Sequence, residues 1–254
     1  MKEKIRVIPR IEIKNNNLIK GVQYEGLRII GDPYKYSKKY YEEGADQIIV
    51  MDIVASSYSR DNLFSTIDKL TKDIFIPITA GGGVKAIEDI KKLLSVGADR
   101  ISINSHLFEN PNLIEEVLNI FGSQFLTIVI EAKKIGNEYY CMKNHGRDNS
   151  GITVEKWIKY LKNKKFGELA IFSVDKDGMN NGPDEKLLEI VHKEKILVPL
   201  IYGGGLHEVE NIGNIINKYE LSGISLSSSL HFNKLNIDNL KKNLLKKGIN
   251  INET

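Results

Sequence analysis

The chain has 254 residues, 41% hydrophobic and 27% charged, with 36 Lys and Arg against 33 Asp and Glu for a formal net charge of +3. This is the composition of a folded globular chain rather than a disordered one, and so mild a charge does not point to nucleic acid as a partner. No run approaches the roughly 18 apolar residues of a membrane span, no apolar signal segment follows the charged start Met1-Lys2-Glu3-Lys4, and Cys141 is the sole cysteine. An internal disulfide and a cysteine-rich metal site are thereby excluded, and a cytoplasmic protein with no membrane partner, no metal and no cofactor is expected.

Length allows two small domains or one large α/β barrel of about 250 residues. Short runs rich in Ile and Val predict strands near 5–13, 46–53, 74–80, 98–104, 124–131, 168–174, 197–202 and 221–226. Between and after them, amphipathic stretches predict helices near 33–43, 61–72, 86–96, 111–121, 153–164, 184–194, 206–218 and 237–247. Asp32-Pro33 and Asn110-Pro111 place proline in a first helical turn, and Gly44, Gly97 and Gly122 stand where C-terminal caps belong. Eight strands alternating with eight helices predict an α/β fold, a TIM (β/α)8 barrel, over 1–254 as a single domain. An open doubly wound sheet is the alternative.

An internal repeat argues for the barrel. Pro77–Gly83 (PITAGGG) returns as Pro199–Gly205 (PLIYGGG), an offset of 122, and Ile101–Ser105 (ISINS) returns as Ile224–Ser228 (ISLSS), an offset of 123. Asp52 is echoed by Asp175 at 123, and Glu12 by Glu131 at 119. Landmarks recurring in order predict two homologous half-barrels, approximately 1–123 and 124–254.

In such barrels the site lies at the C-terminal ends of the strands. Both Gly-Gly-Gly runs fall there, where glycine lets the backbone approach an anion and present its N–H groups. The Ser/Asn segments 102–105 and 225–229 follow the next strands and complete a phosphate cradle in each half. Gly82, Gly83, Asn104 and Ser105 form one candidate set, and Gly203, Gly204, Ser227 and Ser228 the other. A small ligand with a phosphate at each end is the natural occupant; a pair of tight turns with solvated serines is the plainer alternative.

Strand alternation sorts the rest. Val7, Ile11 and Ile13 make the outer face of the first strand, which sends Arg6, Ile8, Arg10 and Glu12 into the lumen. On the fifth strand Thr127, Val129 and Glu131 point inward. Glu12 and Glu131 therefore face each other across the mouth, placed as a general acid and base, although Arg10 is also placed to neutralise Glu12 as an ion pair. Lys20, in the loop after the first strand, is a candidate anion contact, and Asp177 and Gly178 stand just past the sixth strand. The five histidines show no metal-ligand spacing, Cys141 reads as inert, and Trp157 reads as packing.

The residues RVIP at 6–9, LIKGVQYE at 18–25, GDP at 31–33, GGGVK at 81–85, SINS at 102–105, FGSQ at 121–124 and DKDG at 175–178 run through essentially the whole chain. With them the sequence resembles the cyclase subunits of imidazole glycerol phosphate synthase. The resemblance implies a glutaminase partner whose ammonia travels through the lumen to a bisphosphorylated ribulosyl nucleotide. It implies Glu12, Glu131 and Lys20 as catalytic residues. The implied phosphate and substrate contacts are Gly82, Gly83, Asn104, Ser105, Asp177, Gly178, Gly203, Gly204, Ser227 and Ser228. Arg6, Gln47, Arg100 and Glu168 match the charged ring at the ammonia entrance.

The sequence departs from that family at telling places. Its two catalytic aspartates are glutamates here, its first-strand cysteine is Arg10, a ring glutamate is Gln47, and the threonine after DxDG is Met179. A carboxyl displaced by one methylene, on the order of an ångström, can lose ~10²-fold in rate. The chain thus also resembles a paralogous branch that amidates sugars in surface-glycan synthesis. Three readings follow: a specialised ammonia-using synthase subunit, a working cyclase that uses glutamates, and a non-catalytic ammonia conduit.

Overall fold

Short β-branched runs between amphipathic stretches bury themselves best as a parallel sheet wrapped in helices. The computed structural model of the protein describes residues 4–54 and 61–253; the start at residues 1–3 lies outside these. The first half contains β1 (Arg6–Lys14), β2 (Asn17–Val22), β3 (Glu25–Gly31), α1 (Pro33–Glu42), β4 (Ile48–Asp52), α2 (Asp61–Leu70), β5 (Ile78–Gly81), α3 (Ile87–Ser95), β6 (Arg100–Ile103) and α4 (Leu113–Phe121). The second contains β7 (Leu126–Ile135), β8 (Glu138–Lys143), β9 (Asp148–Thr153), α5 (Val154–Leu161), β10 (Glu168–Ser173), α6 (Glu185–Lys193), β11 (Leu200–Gly203), α7 (Val209–Tyr219), β12 (Gly223–Leu226), α8 (Ser228–His231) and α9 (Ile237–Lys246).

Eight parallel strands close on themselves in the order β1, β4, β5, β6, β7, β10, β11 and β12. The seam is β12 beside β1, where Arg6 pairs with Gly223 and Pro9 with Leu226. This is the expected (β/α)8 barrel, and each predicted strand corresponds to one of its staves. Two staves begin later than predicted, because Pro77 and Pro199 lack an N–H and the ladder cannot start before them. Asp32 caps α1, its carboxylate accepting from the Tyr34 N–H at 2.9 Å, with Pro33 in the first turn as expected. Pro111 is a correction: α4 begins at Leu113, so that proline lies in the turn before the helix.

The alternation along the staves holds. Val7, Ile11, Ile13, Ile128 and Ile130 are fully buried in the layer between wall and helices. Ile8, Ile49, Val129, Ala170, Phe172 and Ile201 form a separate, smaller apolar cluster. Each fully buried aliphatic side chain contributes about 1.5–3 kcal/mol. The larger outer layer therefore carries most of the stability, and the lumen can afford charged groups at its ends.

The sequence reading missed two antiparallel hairpins. β2 and β3 extend β1, and β8 and β9 extend β7, so the same addition follows the first and fifth staves. Lys20, expected in a loop, is instead in β2. The turn signals are in the sequence. Asn15 and Asn16 both take positive φ, 49° and 63°, between β1 and β2, and Gly136-Asn137 joins β7 to β8.

Candidate functional site

At the C-terminal mouth the two glycine runs adopt matching backbones. Gly82 and Gly83 have φ of 110° and 62°; Gly204 and Gly205 have 121° and 75°. Each leads past the end of the preceding stave, so closely that a Cβ on Gly82 would stand 2.1 Å from the Asp52 carbonyl oxygen and one on Gly204 2.8 Å from that of Ser173. Asn104 and Ser227 share an unusual backbone, φ −128° and ψ −91° against φ −135° and ψ −91°, and each opens a short helical turn.

The two cradles differ in room. Gly82, Gly83, Asn104 and Ser105 line a cavity of about 520 Å³ together with Lys85 and Arg147. Asp177, Gly178, Gly203, Gly204, Ser227 and Ser228 line a cleft of about 20 Å³, narrowed by Arg10. Every predicted phosphate contact therefore falls on one of two walls.

Beside the narrow cleft lies a buried quartet of charges. Arg10 Nη2 donates to Glu12 at 2.5 Å and to Asp177 at 2.9 Å, and Lys20 Nζ donates to Glu12 at 2.9 Å and to Asp177 at 2.5 Å. Arg10 Nη1 also donates to the Tyr24 hydroxyl at 2.8 Å, and its guanidinium lies 4.3 Å from the Phe172 ring centroid. All four ions are at most 5% exposed. Burial alone pushes the Glu12 carboxyl up, but Arg10 and Lys20 overcome it and hold that group well below the usual carboxylate range. The same burial opposes the charge on Arg10, and Glu12, Tyr24 and Asp177 more than offset it. Glu12 is thus a fixed anion with both oxygens occupied. The expected Arg10–Glu12 ion pair is present, within a larger network than the sequence indicated.

Glu131 has a different setting. It lines the large cavity, where its Oε2 accepts from Gly146 N at 3.0 Å and from Asn104 Nδ2 at 3.1 Å. Its Oε1 lies 3.7 Å from His145 Nδ1. The His145 ring stacks on Tyr24 with centroids 4.2 Å apart and planes 7° apart. Tyr24 belongs to the β2–β3 turn and His145 to the β8–β9 turn, so the two hairpins meet over the mouth. The first hairpin also docks on the loop after β10, where Gln23 N donates to the Asp177 carbonyl oxygen at 2.8 Å. Sequence reasoning missed Tyr24, His145, Lys85 and Arg147.

At the opposite end, Arg6 donates to Gln47 at 2.6 Å and to Glu168 at 2.8 Å, and Arg100 contacts Glu168 at 2.9 Å. Gln47 donates to Thr79 at 2.7 Å, and Thr127 donates to Glu168 at 2.8 Å. Burial works against ionised Glu168, yet Arg6 and Arg100 bring its carboxyl below the usual range. The predicted ring of four is assembled, with Thr79 and Thr127 as members that the sequence did not single out.

Beneath the mouth, His231 Nδ1 and the Tyr40 hydroxyl share a hydrogen bond of 2.7 Å. Burial, with Lys20 adding repulsion, draws the His231 imidazole down to about 3. An unfolded histidine titrates near 6.5, so between those values the unfolded chain binds a proton that the folded one refuses, and stability falls as pH falls. Urea unfolding at pH 6.5 and pH 5 is expected to show about 1.5 kcal/mol of loss from this group. His231→Gln should remove that component; an unchanged pH slope in the variant contradicts it. Cys141 is buried, which pushes its thiol up, and Trp157 packs between Phe108 and Tyr160, as expected for both. Among the described residues, no helix is long and apolar enough to cross a membrane, and no group of three or more His, Cys, Asp or Glu is placed to hold a metal ion.

Comparison with known proteins agrees with this architecture. The profile of a family described as "Histidine biosynthesis protein" matches residues 6–236. "Imidazole glycerol phosphate synthase subunit HisF" of Natranaerobius thermophilus is 36% identical over 246 residues, covering 97% of this chain and 98% of that one. The subunit of the same name from Lactococcus lactis subsp. cremoris is 35% identical, covering 96% of this chain and 95% of its own.

Proposed function

The chain belongs to the histidine biosynthesis protein family, and from that premise we propose that it is an ammonia-using synthase subunit of the HisF type, working with a glutaminase on a small phosphorylated acceptor. The observation that carries this is the arrangement of one lumen: a ring of Arg6, Gln47, Arg100 and Glu168 at one end and two glycine–serine cradles at the other. Two cradles on one mouth suit a ligand with an anionic group at each end. The ring suits passage of a small polar molecule from a partner docked below it. Phe75 and Leu197, 78% and 92% exposed, stand just before β5 and β11, on the face where that partner would sit.

The buried quartet favours a specialised acceptor over ordinary cyclase chemistry, such as a sugar or nucleotide sugar in glycan synthesis. Both Glu12 oxygens accept from cations, which opposes a role as general acid, while Arg10 fills space beside the second cradle. The identity to HisF subunits favours the second reading, a cyclase using glutamates. The experiment is ammonium-dependent turnover of the bisphosphorylated ribulosyl nucleotide at alkaline pH, without a partner. Binding without turnover is the expected result and supports a different acceptor. Turnover that disappears in Glu12→Gln would establish the cyclase reading instead.

A further inference from the structure

Of the glutamate pair Glu12 and Glu131, only Glu131 borders the large cavity, and there its Oε1 faces His145. That ring is held on three sides. Tyr24 stacks on its face, Glu131 Oε1 stands 3.7 Å from Nδ1, and the neighbouring Gly146 N–H ties the same carboxylate to the turn. Its side chain is only 7% exposed, yet Nε2 is buried with no protein partner. Asn104 Oδ1, on the wall of the same cavity, also has none. A buried polar atom without a partner loses about 1–3 kcal/mol unless something answers it. Both residues, His145 and Asn104, line one space of about 520 Å³.

We infer that His145 is a catalytic residue, its Nε2 hydrogen-bonding a carbonyl-derived oxygen of the phosphorylated acceptor, with Glu131 as the carboxylate that orients the ring and takes the surplus proton from nitrogen. The inference rests on the proposed ammonia-using function. As ammonia adds to a carbonyl carbon, the C–N bond forms and the C=O π pair moves to oxygen. The proton on His145 Nε2 passes to that oxygen, and the surplus proton on nitrogen passes to the Glu131 carboxylate. The product is a neutral carbinolamine. Nε2 then takes up a proton from water in the cavity and Glu131 gives one up to it, which returns both side chains to their starting states. Tyr24 is a positioning residue: it fixes the ring plane, while its hydroxyl is engaged by Arg10. Lys85, Arg147 and Asp148 also line the cavity, and Glu12 stands near enough to His145 for their charges to interact.

Two readouts test this. In histidine-labelled protein, the His145 resonance, assigned by its loss in His145→Gln, should change position in Glu131→Gln, because that carboxylate faces the ring. It should also move when the bisphosphorylated ribulosyl nucleotide is added. If the wild type turns that nucleotide over with ammonium, His145→Gln should lower kcat at least 100-fold, leave KM within threefold and abolish one limb of the pH profile, and Tyr24→Phe, which keeps the stack, should retain the profile. Retained kcat with both limbs in folded His145→Gln overturns the inference. If the wild type shows no turnover, the cyclase reading fails by itself, and the resonance decides: a His145 signal that does not move when the nucleotide is bound overturns the inference.

Discussion

Arg10→Met is expected to lower the unfolding free energy by about 3–5 kcal/mol, the usual consequence of removing one partner from a buried ion pair. The substitution keeps most of the side-chain volume but leaves Glu12 and Asp177 with Lys20 as their only cation in the quartet, and it strips the Tyr24 hydroxyl of its donor. At 2–5% exposure, water cannot replace what is lost. Charge balance supplies the internal control. Arg10→Met combined with Asp177→Asn leaves one cation facing one anion, so the double variant should be less destabilised than the sum of the singles by at least 1 kcal/mol. Urea unfolding of the four proteins measures this. A loss under 1 kcal/mol for Arg10→Met would mean that the quartet is solvated in solution.

Gly82→Ala is the second large effect, because backbone conformation and space both forbid it. With φ at 110°, an L side chain is strained, and its Cβ would be 2.1 Å from the Asp52 carbonyl oxygen and 2.8 Å from the Asp52 carbonyl carbon and amide nitrogen. No rotamer change relieves a collision with backbone. Strain and overpacking together place the loss at about 2–5 kcal/mol. Where the variant still folds, displacement of the loop should weaken binding of inorganic phosphate at least tenfold. Gly26→Ala separates the two causes. Gly26 has φ of 61° but nothing within 4 Å of a built Cβ, so about 1 kcal/mol is expected there. Equal losses at the two positions would refute the close approach at Gly82.

The barrel was legible because its signals are local and repeated: β-branched runs at regular spacing, proline and glycine at helix ends, and a period-two alternation that sent Arg6, Arg10, Glu12 and Glu131 inward. The cradles were legible because their landmarks recur at 122 and 123 residues, and their backbones match down to the φ of each glycine. The hairpins were missed although Asn15-Asn16 and Gly136-Asn137 mark their turns, since the long strand β7 reads as one stave and the segment after it as loop. Tyr24 and His145 were out of reach for a different reason. Each is an ordinary turn residue in its own segment, and their meaning arises only where two tips 121 residues apart meet over the mouth. The quartet lies between these cases. Alternation pairs Arg10 with Glu12, but nothing in the chain order shows that Lys20 and Asp177 complete a closed square with them.

That square also explains why two carboxylates at equivalent positions need not share one task. Glu12 is fixed as an anion by two cations and is shielded from both cavities except through Arg10. Glu131 keeps one oxygen toward His145 and the open space. Environment rather than residue type separates their roles.

One ligand spanning both cradles is most directly tested by calorimetric binding of the bisphosphorylated ribulosyl nucleotide. The expected result is one site per barrel, competed by inorganic phosphate and weakened at least tenfold by either Gly82→Ala or Gly204→Ala. Absence of binding, or binding that neither glycine substitution alters, would contradict it.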